Sequence, residues 1–156
     1  MFYDTSCFPF IKDLEENWRT IRSEYNAANT IPYPEDDLYR GEWDVSPFLF
    51  FGTEFAENRR KCPKTWKILQ NVPNLVNAAF SILGYSTDIH PHTGFTKEVL
   101  RCHLGLVSPS RCLLVVGDEP RRWVEGKCLV FDDTIEHYAY NHSETDRVVL
   151  LLDFKR

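Results

Sequence analysis

The residues best suited to chemistry gather around a short run, "HPHTG", in which His90 and His92 stand two residues apart and Gly94 follows. In extended backbone, side chains at i and i+2 leave from one face, so both imidazoles would point the same way. Neutral imidazole is a borderline ligand that suits iron, zinc, copper and nickel. His103, His137 and His142 complete a set of five histidines. Each alone reads as an ordinary core or surface residue. Four of the five, lying in or beside strand-like runs, read together as metal ligands held in the mouth of a β fold.

Two arginines accompany them. In "LRCHLG", Arg101 and His103 alternate with Cys102 and Leu104, so both polar side chains share a strand face that cannot be purely apolar core. Arg147 opens "RVVLLLDF", in phase with Val149 and Leu151. A guanidinium at the head of such a strand is partly buried and needs an anion, for which a bidentate carboxylate fits best. The pattern is equally compatible with an internal salt bridge to one of the 23 acidic residues and with a clamp on a ligand. "FDDTIEH" offers His137 as a further ligand. Asp132, Asp133 and Glu136 stand close enough in sequence to orient its ring, or to cap a turn.

The elements that must position these groups follow from periodicity. Ile11, Leu14, Trp18, Ile21 and Tyr25 recur at spacings of three and four, which predicts one amphipathic helix over 11–25. A second, short helix is expected to begin at Pro63, since proline suits a first helical turn. Residues 27–60 are rich in proline and aromatics and have no clean period. From residue 78 the chain breaks into short β-branched and aromatic runs, "AAFSILGY", "EVLRCHLGLV", "RCLLVVG", "KCLVFDD", "HYAYN" and "RVVLLLDF", separated by turn residues. Helices first and strands second predict a mainly β fold, a double-stranded β-helix of the jelly-roll or cupin-like kind, with N-terminal helices packed on the sheet. With 156 residues, 43% of them apolar, the chain is expected to be a single domain over 1–156 with a substantial core.

Composition also excludes. No apolar run is long enough for a transmembrane helix, and "MFYDTSCFPF" lacks the marks of a secretory signal. A net charge of −5 without a lysine/arginine stripe argues against nucleic acid. Five cysteines, odd in number and without a C-x-x-C pair, point to reduced thiols and a cytoplasmic setting.

The pieces "FSIL", "HPHTGFTKEVLRCHLGLV", "W-x-EGKCLVFDDTIEH" and "RVVLLLD", in this order and spacing, resemble the aspartyl/asparaginyl β-hydroxylase family of Fe(II)- and 2-oxoglutarate-dependent dioxygenases. The opening "FYDTSCFPFIKDLEENWRTIRSEY" and "CPKT" extend the resemblance over nearly the whole chain. It implies that His92 and His137 ligate iron, that Ser81 and Arg147 bind the distal carboxylate of 2-oxoglutarate, and that Arg101 and His103 hold its chelating end. It moves Arg147 from the even choice towards a ligand clamp. Most non-haem iron oxygenases add a carboxylate to two histidines. This family places glycine there, and Gly94 matches, leaving an open coordination position. His90 stands where the family commonly has an aromatic and is expected to be a spectator. The implied reaction consumes O₂ and 2-oxoglutarate, hydroxylates an unactivated C–H of a small molecule, amino acid or peptidyl residue, and releases succinate and CO₂.

The sequence also departs from the family. Basic residues that would grip an acidic substrate are replaced by Ala79 and Val99, and only Arg40, in "DDLYRGEW", is available as a displaced third. A less acidic substrate is therefore expected. The chain ends at "LLDFKR", short of the family's Trp-His-Pro-like tail, so part of a substrate-covering element is expected to be missing. Two other readings compete with hydroxylation. One is a halogenase using the position at Gly94; the other is a non-catalytic, cupin-like metal-binding module.

Overall fold

A computed structural model describes residues 2–156. Two antiparallel sheets pack face to face. The larger runs β1 (Ile31–Pro32), β3 (Trp43–Phe50), β5 (Leu75–Leu83), β12 (Arg147–Lys155), β7 (Val99–Val107) and β10 (Cys128–Phe131), with β4 (Thr53–Glu54) paired to β3. The smaller runs β2 (Tyr39–Arg40), β6 (Thr87–His92), β11 (His137–Asn141), β8 (Cys112–Val116) and β9 (Glu119–Arg121). This is the expected jelly roll, with helices on one face.

The period-2 rule explains how one strand serves two cores. On β12, Val148, Leu150, Leu152 and Phe154 point outward into a cluster with Ile11, Leu14, Ile21 and Leu69 of the helices. The alternate Val149 and Leu151 point inward, against Leu114, Val116 and Ala139 of the smaller sheet. Both faces of the large sheet are covered, so its central strands read as continuous apolar runs rather than alternating ones.

The predicted helix over 11–25 is two helices, α1 (Phe10–Glu16) and α2 (Trp18–Glu24). They part at Asn17 (φ −106°, ψ 14°), whose side-chain amide donates to the Asp13 carbonyl at 2.8 Å and competes with the backbone ladder. The apolar stripe survives the break, since Ile11, Leu14 and Ile21 all reach the core. α3 (Ala56–Lys61) and α4 (Pro63–Leu69) follow, with Pro63 in the first turn of α4 as expected. The Glu24 carboxylate at the end of α2 accepts from the Thr65 amide and hydroxyl, both at 2.7 Å, and ties the helices together.

Strand β3 has no counterpart in the sequence reading. Its interior Pro47 has no N–H to give the ladder, and the register with β5 slips between Pro47 and Leu49. Among the described residues no helix is long and apolar enough to cross a membrane. All five cysteines are free, and four of them are buried.

Candidate metal and carboxylate site

The space between the sheets holds a cavity lined by Ser81, His92, Arg101, His103, His137 and Arg147 together with Trp43, Trp123 and apolar neighbours. Six of the residues singled out in the sequence thus meet in one place, carried by β5, β6, β7, β11 and β12.

Backbone irregularity selects which histidine enters. His92 and His137 are direct partners across β6 and β11, yet the next pair is Ile89 with Ala139. Two residues, His90 and Pro91, therefore stand opposite one, Tyr138, which is a β-bulge. The bulge overturns the expectation that His90 and His92 share a face. His92 turns inward in phase with Ile89, while His90 is exposed and lines an outer depression with Arg40, Asp88 and Tyr140. Arg40 thus lies on that outer surface, apart from the central cavity.

The two inward rings lie 4.3 Å apart between centroids at 57°. Nδ1 of His92 lies 2.7 Å from the His90 carbonyl, and Nδ1 of His137 lies 2.9 Å from the Ile135 carbonyl. A carbonyl only accepts, so each ring must carry its proton on Nδ1 and present an Nε2 lone pair. Burial, opposed by the Ile135 hydrogen bond and reinforced by His92, lowers the His137 pKa to about 4, so this ring is neutral at pH 7. Among the described residues no third His, Cys, Asp or Glu joins them in a metal-sized cluster.

The opposite wall consists of donors. The Ser81 hydroxyl accepts from Trp43 Nε1 at 2.9 Å and from Arg147 Nη2 at 3.0 Å. Both its lone pairs are then engaged, and its own proton is left to donate. His103 Nδ1 accepts from Trp123 Nε1 at 3.1 Å, which places the ring proton on Nε2, a buried atom with no partner among the described residues. Burial, together with Arg147 and Arg101, holds His103 far below the usual histidine range and hence neutral.

Arg147 is 2% exposed, and among the described residues its guanidinium donates to the Ser81 oxygens at 3.0 and 3.2 Å and lies over the face of Trp123, 4.5 Å from Cζ to the ring centroid. Its Nε has no partner, and no carboxylate pairs with it among the described residues. Burial pushes its pKa down to about 9. Among the described residues Arg147 makes none of the internal salt bridges that the sequence allowed.

Arg101 is arranged differently. Its Nε and Nη2 donate to the two Asp153 carboxylate oxygens at 2.8 and 2.9 Å, and Asp133 lies 3.7 Å from Nη2. Burial alone would lower its pKa, but Asp153 and Asp133 raise it. Asp153 is thus a site residue that the sequence reading missed, although it alternates on β12 with Arg147, Val149 and Leu151 and so shares their inward face. Trp43 and Trp123 were missed because an isolated tryptophan in an aromatic-rich chain reads as core.

Gly94 lies against Asp133. Its N–H donates to the Asp133 carbonyl at 2.7 Å, and a Cβ at 94 would stand 2.3–2.6 Å from the Asp133 carboxyl atoms. A side chain at this position would require the Asp133 carboxyl, brought from the loop after β10, to move aside.

The sequence profile of the aspartyl/asparaginyl β-hydroxylases matches residues 15–156. The chain belongs to that family. It is 35% identical, over 97% of its length and 59% of the relative's, to an ornithine lipid ester-linked acyl 2-hydroxylase of Rhizobium tropici. It is 33% identical to human aspartyl/asparaginyl β-hydroxylase over 96% of its own length and 21% of that protein's. The chain therefore spans between about a fifth and three fifths of the length of these relatives. In architecture it is similar to a 2OG-Fe(II) oxygenase family oxidoreductase from Burkholderia pseudomallei (TM-score 0.63, 9% identity, 86% of this chain and 76% of that one). A predicted oxalate decarboxylase from Thermotoga maritima is also similar (TM-score 0.59, 11% identity, 85% and 96%). At these identities the likeness speaks for the jelly-roll fold alone.

Proposed function

We propose that this protein is an Fe(II)- and 2-oxoglutarate-dependent dioxygenase that hydroxylates an unactivated C–H and releases succinate and CO₂. The observation that carries this reading is Arg147, a buried guanidinium without a counter-ion among the described residues, facing the same cavity as two histidine Nε2 lone pairs. Leaving a buried cation unpaired is costly, and a dicarboxylate would supply the missing anion.

The side chains fit iron and 2-oxoglutarate by their hydrogen-bond inventory. His92 and His137 would hold the metal through Nε2. Arg147 and the Ser81 hydroxyl would take one carboxylate of 2-oxoglutarate, and the Nε2–H of His103, with Arg101, would orient its other end. When bound, iron and 2-oxoglutarate supply the oxidising chemistry. The protein holds the cosubstrate by charge and hydrogen bonds, keeps His103 neutral and donating, and excludes water with Trp43, Trp123, Phe131 and Leu151.

Ala79 is fully buried on the inward face of β5, and Val99 is buried at the head of β7. Neither can contribute a cation to a substrate. This supports a substrate less acidic than an aspartyl side chain. The relatives' names point to different targets, an acyl chain in one case and aspartyl or asparaginyl groups in another, so membership of the family leaves the substrate open. The donor wall counts against a plain metal-binding module, which needs no carboxylate clamp. The Asp133 carboxyl against Gly94 disfavours the halogenase reading, since a halide there would compete for space with an acidic side chain. The test is Fe(II)-dependent conversion of 2-oxoglutarate to succinate, screened over amino acids, short peptides and acyl compounds, with and without chloride. A hydroxylated product, sixteen mass units heavier, with succinate in equal amount is expected. Absence of succinate in every combination would refute the proposal.

A further inference from the structure

A mouth at the surface shares His92 and Arg101 with the inner cavity and is also lined by Gly94, so it adjoins the proposed iron site. Beside Leu38 and Thr93, its other walls are aromatic and acidic. Three are aromatic, Tyr33, Phe51 and Phe95, and two are acidic, Glu35 and Asp133. Phe95 is 86% exposed and Phe51 is 59% exposed, which is unusual for rings of this size.

Phe51 is held out against its backbone preference. It sits at φ +50°, in a region that bulky side chains rarely adopt, and its N–H donates to Asn77 Oδ1 at 3.0 Å. Asn77 in turn donates to Asp153, the partner of Arg101. The projecting ring is thus tied to the interior of the site by a chain of hydrogen bonds, and its exposure is built into the fold.

The mouth carries two carboxylates, Glu35 and Asp133, against one guanidinium, Arg101. The Glu35 side chain is half-buried and makes no hydrogen bond or ion pair among the described residues. Asp133 is only 8% exposed, and its Oδ1 is a buried acceptor with no partner. Arg101, which also lines the mouth, forks onto Asp153 at 2.8 and 2.9 Å and meets the other Asp133 oxygen, Oδ2, only at 3.7 Å, so that Asp133 keeps acceptor capacity at Oδ1. Lys97, two residues beyond Phe95, does not line it. Aromatic faces with carboxylates between them are complementary to an ammonium ion, through the ring quadrupole and through charge-assisted hydrogen bonds.

We propose that the mouth selects a substrate bearing a protonated amine, taken by Glu35 and Asp133 among the rings of Tyr33, Phe51 and Phe95. The inference rests on the hydroxylase reading for its meaning, since the amine would place a neighbouring C–H at the iron, but its test does not. The intact protein would be titrated with hexylammonium chloride, hexanoate and 1-hexanol, followed by calorimetry and by the amide resonances of Gly94 and Phe95. Hexylammonium should bind at least about tenfold more tightly than hexanol, hexanoate should bind least, and Glu35→Gln should abolish the preference. Phe95→Ala, at an exposed position that cannot upset folding, should weaken hexylammonium alone. Hexanoate binding as tightly as hexylammonium, or a Glu35→Gln protein that keeps the preference, would overturn the proposal. 2-Oxoglutarate titrated into the same samples separates the two readings. If it binds while the amines show no preference, only the mouth is misread; if the amine preference stands without 2-oxoglutarate binding, only the dioxygenase reading falls.

Discussion

Replacing Arg147 by methionine removes a charge while keeping most of the side-chain volume, and the structure predicts opposite effects on stability and on ligand binding. The guanidinium is 2% exposed and has no carboxylate partner. Its pKa, pushed from the ordinary arginine value down to about 9, corresponds to an interaction on the order of 5 kcal/mol against the charged form. Some of this returns through the Ser81 oxygens and the Trp123 face, and methionine also packs. Exchanging a buried ion for an apolar residue of similar size is often neutral or stabilising by about 1–4 kcal/mol. The ligand-free Arg147→Met protein should therefore melt at or above the temperature of the wild type. With 2-oxoglutarate the order reverses, because the ligand supplies the counter-ion only to the wild type. Breaking a buried charge pair costs roughly 3–5 kcal/mol, or about two to three orders of magnitude in Kd. Thermal melts and calorimetry with and without 2-oxoglutarate, under anaerobic Fe(II), measure both effects. Iron affinity should be unchanged, since Arg147 touches neither imidazole. A variant that binds 2-oxoglutarate within tenfold of wild type, or that is several kcal/mol less stable without ligand, would show that the charge is satisfied internally and that the reasoning is wrong.

The same hydrogen-bond accounting makes other positions testable. Trp123→Phe removes the donor to His103 Nδ1 and frees the ring to change tautomer; a stability loss of about 1–3 kcal/mol and a weaker grip on 2-oxoglutarate with little change in iron affinity are expected from chemical denaturation and calorimetry. Gly94→Ala should destabilise by about 1–3 kcal/mol, because its Cβ meets the Asp133 carboxyl, and the double variant with Asp133→Ala should recover most of that loss. Additive losses in the double-mutant cycle would disprove the clash. His137 is a base whose folded pKa, about 4, lies below its unfolded value near 6.5. The unfolded chain therefore binds a proton that the folded one refuses, and stability of the metal-free protein should fall as pH drops from about 6.5 towards 4, by up to roughly 3 kcal/mol. His137→Asn should flatten that part of the curve, and a profile unaltered by the substitution would contradict the burial argument.

Much of this protein can be read in one dimension because strand alternation is a local rule. Arg101 with His103, and Arg147 with Val149 and Leu151, declare a shared face without reference to any partner, and the β runs after residue 78 declare the jelly roll. Spacing alone nevertheless misread "HPHTG". Whether His90 or His92 faces the cavity depends on a bulge, and a bulge exists only between two paired strands. Strand β3 was hidden for a related reason: its proline is tolerated where the register slips against β5. Likewise, alternation shows that Arg147 is inward but not what it meets. Only the packed structure assigns Asp153 to Arg101, leaves Arg147 without a counter-ion, and sets Asp133 against Gly94. Residue type and period determined which groups could do chemistry and which faces they occupy; the pairing of distant strands decided which charges are neutralised and which are left for a ligand.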